Sequence, residues 1–136
     1  LLIAAAGHSP EGLEEARDAG CEVVQVCPDE DVPAQPSPRA ALELLGARDA
    51  SRVLVEGGGT LLGSLFDADL VDRVMAFMSP VVAGGADAVS PVAGRGVESI
   101  DAGSELHEVS VERTGRDVLM QGWVHDPVEW APARDA

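Results

Sequence analysis

Three consecutive glycines, Gly57–Gly59, followed by Thr60, are the residues of this chain best suited to meeting an anion. They sit inside Arg52–Phe66, "RVLVEGGGTLLGSLF", between an apolar run that ends in Glu56 and a second that begins at Leu61. Where a strand passes into a helix, the first helical N–H groups have no intrahelical acceptor and lie at the positive end of the helix dipole. A diphosphate can accept from them if no side chain holds it off the backbone. Glycines meet that condition and also permit φ > 0. Thr60 adds a hydroxyl able to cap the helix. The run is not G-x-G-x-x-G, because Leu61 and Leu62 take its later positions, and it is not a P-loop, because no Lys follows. Read locally, the same residues also suit a tight turn with no ligand.

Other polar groups offer less. Gly7, His8 and Ser9 close the first apolar run, where Ser9 can cap a helix that begins at Pro10. Glu56 ends the apolar run before the glycines, either as a ligand-side acid or as a solvated strand end. Asp67, Asp69 and Asp72 do not have the spacing of an EF-hand loop, so no metal is expected. His107 and His125 have no nucleophile motif nearby, and no catalytic side chain can be assigned. Cys21 and Cys27 are not a Cys-x-x-Cys pair and read as free thiols of a reducing cytoplasm.

The elements that must position these groups alternate. Leu1–Ala6 is an apolar strand, followed by a helix that Ser9 and Pro10 open and Gly20 closes, then a β-branched strand at Glu22–Cys27. An acidic, proline-broken surface connection, "PDEDVPAQPSP", leads to a helix from Ser37–Pro38 to about Arg48. Arg52–Glu56 is the next strand, Thr60–Asp67 a helix burying Leu61, Leu62, Leu65 and Phe66, and Val74–Met78 a strand covered on both faces. A Gly/Pro/Ser-rich loop then precedes a hairpin. Its turn lies at Thr114–Asp117, and Leu106, Val109 and Val111 meet Val118, Met120 and Trp123 across it. Alternating β and α with continuous apolar strands predicts an α/β fold, a mostly parallel central sheet flanked by helices with a C-terminal antiparallel hairpin.

Composition narrows the partners. The 136 residues carry 24 acids against 9 bases, a net charge of −15, and every base is an arginine, so nucleic acid and anionic membranes are not expected partners. No apolar run approaches the roughly 20 residues that span a bilayer, and Leu1–Ala6 lacks the basic flank of a signal peptide.

The segment "LVEGGGTLLGSLFDADLVDRVMAFMSPVVAGG" resembles the C-terminal part of the riboflavin-biosynthesis pyrimidine reductase, the C-terminal domain of the bacterial bifunctional deaminase-reductase, which has a dihydrofolate-reductase-like fold. That family runs L-V-E-G-G-x-T-L, a small-residue helix, L-V-D, an apolar strand, a Pro and G-G. The matching positions here are Leu54–Leu61, Gly63–Phe66, Leu70–Asp72, Val74–Met78, Pro80 and Gly84–Gly85, with Arg73 where the family often has an acid. The opening strand–helix–strand and the closing hairpin match in kind.

The resemblance implies an NADPH-dependent oxidoreductase of the amino-(phosphoribosylamino)uracil reductase type, acting on an aminopyrimidine ribosyl phosphate to give the ribitylamino product. It implies that Gly57, Gly58, Gly59, Thr60 and Leu61 hold the cofactor's pyrophosphate and nicotinamide-side ribose. His8 and Ser9 would flank the adenine ribose and its 2′-phosphate, and Glu56 would face the substrate. Residues 1–126 are then the reductase domain and 127–136 a C-terminal tail in which Trp130 can dock. A small-residue S-L-D-G strand, a D-D-P segment and phosphate-binding arginines of the family would precede Leu1. Without those strands, Arg52–Glu56 and Val74–Met78 would expose edges and apolar faces, so the 136 residues are expected not to be the whole folding unit. A homodimer in the cytoplasm is the expected state. The alternatives are a reductase of another pterin or pyrimidine, and a nucleotide-binding or oligomerisation module of the same fold without catalysis.

Overall fold

The computed structural model describes residues 1–126, so the expected tail at 127–136 and its Trp130 lie outside the described residues. The chain forms two compact units, Leu1–Glu56 and Gly57–Ala136. Each has its own sheet, the first with two strands and the second with three.

In the first unit β1 (Leu2–Ala5), α1 (Pro10–Asp18) and β2 (Val23–Val26) make a strand–helix–strand in which β1 and β2 pair in parallel, from Leu2 opposite Val23 to Ala5 opposite Val26. The ladder is bracketed by Leu2 N–H to Glu22 O at 2.7 Å and Ala6 N–H to Val26 O at 2.8 Å. Ala4, Ala5 and Leu13 are its buried apolar residues. Proline and glycine set the ends of α1. Pro10 has no N–H to leave unpaired, and Gly20 takes φ +84, which lets Gly20 N–H reach Arg17 O and Cys21 N–H reach Ala16 O. The expected surface connection is an ordered loop in which Asp29 Oδ1 accepts from Asp31 and Val32 N–H at 2.9 Å each. Ser37 N–H then donates to Cys27 O, and the Ser37 hydroxyl accepts weakly from Ala40 N–H at 3.4 Å to open α2 (Pro38–Gly46).

In the second unit α3 (Gly59–Asp67) is followed by β3 (Arg73–Met78), β4 (His107–Thr114) and β5 (Asp117–Trp123). The sheet order is β3-β5-β4, antiparallel throughout. The hairpin turn falls where expected, with Thr114 opposite Asp117 and Gly115 at φ +63 in the first turn position.

Three expectations are corrected. Val74–Met78 belongs to an antiparallel edge strand, not to a mostly parallel sheet. It is not covered on both faces, since Met75, Phe77 and Met78 are 49%, 62% and 51% exposed. Its apolar run signalled burial, but which strand would pair with it is not encoded locally. Arg52–Glu56 joins no ladder among the described residues, and Val53 and Leu54 are exposed. In the hairpin Val111 does oppose Met120, but an irregularity between His107 and Ser110, with Glu108 at φ 48, shifts the register. Trp123 therefore opposes His107 and, by strand alternation, lies on the other face from Val118 and Met120.

Candidate nucleotide-phosphate site

The glycine turn does place a helix start where the sequence requires one. Gly58 is the N-cap of α3, in extended conformation at φ −61 and ψ 167, and the helix begins at Gly59. Gly58 supplies no side-chain cap, and Leu62 N–H, the first to be paired, donates to Gly58 O at 3.2 Å. The N–H groups of Gly59, Thr60 and Leu61 find no acceptor among the described residues. Three donors and the positive end of the helix dipole therefore converge at one exposed point, the arrangement that suits phosphate oxygens.

The reason for glycine differs among the three positions. None of Gly57, Gly58 and Gly59 has positive φ, so left-handed backbone is not the requirement. Gly59 is needed because a Cβ there would lie 2.6 Å from the Ser90 carbonyl oxygen, with Pro91 and Ala93 backbone close behind. At Gly57 a Cβ would meet only the movable Leu61 side chain, at 2.9 Å. Gly58 faces open space, with nothing within 4 Å of a Cβ. Of the three, Gly58 leaves room for a ligand, and Gly59 is close to its own chain. Thr60 is inside the helix and not at its cap, so its hydroxyl has no capping role, and Leu61 is 45% exposed.

His8 and Ser9 lie in the first unit, at the end of β1. Gly7 takes φ +90 there, and His8 N–H turns back to Ala5 O at 3.1 Å. Ser9 occupies the N-cap position of α1, yet its side chain makes no capping hydrogen bond, which leaves the hydroxyl available. Glu56 is exposed and is the last residue of the first unit.

Asp69 and Asp72 take part in local structure. Asp69 takes φ 55 at the C-terminal end of α3, with Asp69 N–H to Phe66 O and Leu70 N–H to Leu65 O at 3.0 Å each, and its carboxylate stands 3.6 Å from His125 Nε2. Asp72 O accepts from Val124 N–H at 2.8 Å. Among the described residues no group of His, Cys, Asp and Glu is arranged to hold a metal, and no helix is long and apolar enough to cross a membrane. Arg73, at the position where a carboxylate was a family expectation, lies over the Trp123 ring at 5.3 Å. It also donates to Gln121 Oε1 at 2.9 Å, and Gln121 Nε2 donates on to Ser110 Oγ at 3.1 Å, a polar line across the three strands. The residues that the sequence reading missed are Ser90–Arg95, which lie along α3. The available signal was a second small residue at helical spacing, Gly63 four positions after Gly59.

Comparison with known proteins identifies the family. The family described as RibD C-terminal domain matches residues 3–120. A riboflavin biosynthesis protein PYRR, chloroplastic, of Zea mays is 34% identical over 96 residues, covering 71% of this chain and 15% of that protein. A riboflavin biosynthesis protein RibD of Actinobacillus pleuropneumoniae is 29% identical over 127 residues, 93% of this chain and 33% of that protein. A 2,5-diamino-6-ribosylamino-4(3H)-pyrimidinone 5′-phosphate reductase of Archaeoglobus fulgidus is 44% identical over 48 residues, 35% of this chain and 22% of that protein. The chain thus spans a third or less of the length of each of these relatives.

Proposed function

The chain belongs to the RibD C-terminal domain family, and from that premise we propose that it is the cofactor-binding part of an NADPH-dependent reductase of riboflavin biosynthesis. The substrate would be an aminopyrimidine ribosyl phosphate and the product its ribitylamino form, as the reductase named among its relatives suggests. The domain would have a dihydrofolate-reductase-like arrangement and act in the cytoplasm as a homodimer.

One observation carries the reading. The N-terminus of α3 offers the N–H groups of Gly59, Thr60 and Leu61 without internal acceptors, beside an unobstructed Gly58. Those donors fit a diphosphate, and their charge is local, which matters in a chain of net charge −15 that would otherwise repel the cofactor. Ser9, whose hydroxyl makes no capping hydrogen bond, and His8 beside it belong to the first unit. Bound NADPH would supply the hydride. The chain's own part is to bind and orient: backbone donors fix the diphosphate, Leu61 gives an apolar edge, and Glu56 precedes the turn on the substrate side.

The test is a fluorescence titration of the full-length protein with NADPH, followed by turnover with the pyrimidine ribosyl phosphate. Saturable binding with oxidation of NADPH supports the reductase. Binding without turnover favours a nucleotide-binding module, and no binding removes the proposal.

A further inference from the structure

Helix α3 is only nine residues long, too short to be stable by itself in water, and its N-cap supplies no side-chain hydrogen bond. Something else must hold its first turn. The segment Ser90–Arg95 does so from the flank. A Cβ at Gly59 would meet Ser90 O at 2.6 Å, and one at Gly63 would meet Ala93 O at 2.2 Å and Gly94 N at 2.7 Å. Ala93 N–H donates to Gly59 O at 2.9 Å. At the far end Asp67 Oδ2 accepts the Arg95 N–H at 2.8 Å and stands 3.9 Å from Arg95 Nε, while Arg95 donates from its guanidinium to Asp67 O at 3.4 Å. Gly94, at φ +95, brings Arg95 N–H to that carboxylate, and a Cβ at Gly94 would lie 2.5 Å from Asp67 Oδ2. Gly59, Gly63 and Asp67 recur every four residues, so the contacts form one line down the helix over about 12 Å.

This line has a chemical consequence at the other end of the helix. A side-chain cap would steady the first turn by accepting from its N–H groups, and so would consume the donors a phosphate needs. The strap instead engages the Gly59 carbonyl and leaves those N–H groups open. We infer that Ser90–Arg95 is a strap that positions the phosphate-binding turn, and that Asp67, two helical turns away from it, is the positioning residue that latches the strap. Asp67 touches neither cofactor nor substrate; it acts through Arg95, Ala93 and Gly59. The inference rests on the cofactor reading given above.

Coupling of this kind is reciprocal: if a docked strap favours NADPH, NADPH must favour the docked strap by the same factor. Trypsin reads docking directly, because the Arg95–Gly96 bond must come away from α3 to be cut, and the Arg95 side chain is 68% exposed. In the full-length protein, NADPH should slow cleavage at Arg95–Gly96, followed by mass. Asp67→Ala should speed that cleavage and raise the NADPH dissociation constant about fivefold or more, leaving the pyrimidine KM unchanged. Asp67→Asn retains an acceptor for the Arg95 N–H and should recover most of the affinity. It also carries the comparison if Asp67→Ala does not fold. NADPH binding that leaves Arg95–Gly96 cleavage unchanged, or faster cleavage in the variant with unaltered NADPH affinity, overturns the latch alone. Failure of the unaltered protein to bind NADPH overturns the cofactor reading and the coupling together.

Discussion

Gly63 and Ala93 stand so close that a Cβ on the glycine would lie 2.2 Å from the Ala93 carbonyl oxygen, with backbone and not a yielding side chain in the way. Gly63 is also buried, in the middle of α3.

Gly63→Ala therefore has two opposed effects. Alanine favours a helix over glycine by roughly 1 kcal/mol, and the displaced Ser90–Gly94 backbone costs about 1–3 kcal/mol of overpacking. The overpacking should win, and urea unfolding should show a net loss of stability. A net gain would mean that the segment does not pack on this helix in solution.

Much of the first unit was legible from local chemistry. Ser9–Pro10 with Gly20, and Ser37–Pro38, mark helix ends because proline and left-handed glycine act on their own residue and its immediate neighbours. The hairpin was legible for the same reason, since Gly115 serves its own turn. What escaped depends on distant chain. The partner of β3 is β5, and the neighbours of Gly59 and Gly63 lie some thirty residues downstream, where no periodicity points to them. At the candidate site the location of the helix start could be read, but not that Gly59 packs against the Ser90 carbonyl. Its reason for being glycine is that close approach, not left-handed backbone.

Two helices end on aspartates where α1 uses glycine. Asp49 takes φ 64 after α2, with Ala50 N–H returning to Leu45 O at 3.1 Å, in the same role that Gly20 plays after α1. An L-residue with a Cβ is strained there, by an amount that aspartate reduces but does not abolish. Asp49→Gly should stabilise the protein by about 0.5–1 kcal/mol, visible as a higher melting temperature. Unchanged or lower stability would argue against this backbone conformation.

Arg48 donates to both carboxylate oxygens of Glu22 at 2.5 and 2.9 Å, joining the end of α2 to the start of β2. The hydrogen bond from Arg48 holds the Glu22 carboxyl below the ordinary carboxylate range. A carboxyl whose pKa is lower folded than unfolded contributes stability above its unfolded pKa and loses it as pH falls through the folded one. Arg48→Ala should thus melt slightly below the parent at neutral pH, with the gap closing as the solution is acidified below the carboxylate range. The pair is exposed, so the gap should also shrink with salt. A gap independent of pH would assign the effect to packing of the arginine stem.

Gly58 separates cofactor binding from folding most cleanly. Its φ of −61 and ψ of 167 are open to any L-residue, and nothing lies within 4 Å of a Cβ, so Gly58→Ala should leave the fold intact. Aspartate at this position is a good N-cap: its carboxylate can accept from the first-turn N–H groups and suits the positive end of the dipole. Gly58→Asp should therefore hold or slightly raise the melting temperature of the protein without ligand. The same carboxylate occupies the donors proposed for the diphosphate and opposes its charge. A unit charge about 4 Å from another is worth roughly 1–4 kcal/mol between bulk water and a protein surface, so NADPH affinity should fall about tenfold or more. Calorimetric titration of both variants checks the pair. Full affinity in a stably folded Gly58→Asp protein would mean that the diphosphate lies elsewhere, whereas loss of both folding and affinity would mean that Gly58 has a structural role its surroundings do not reveal.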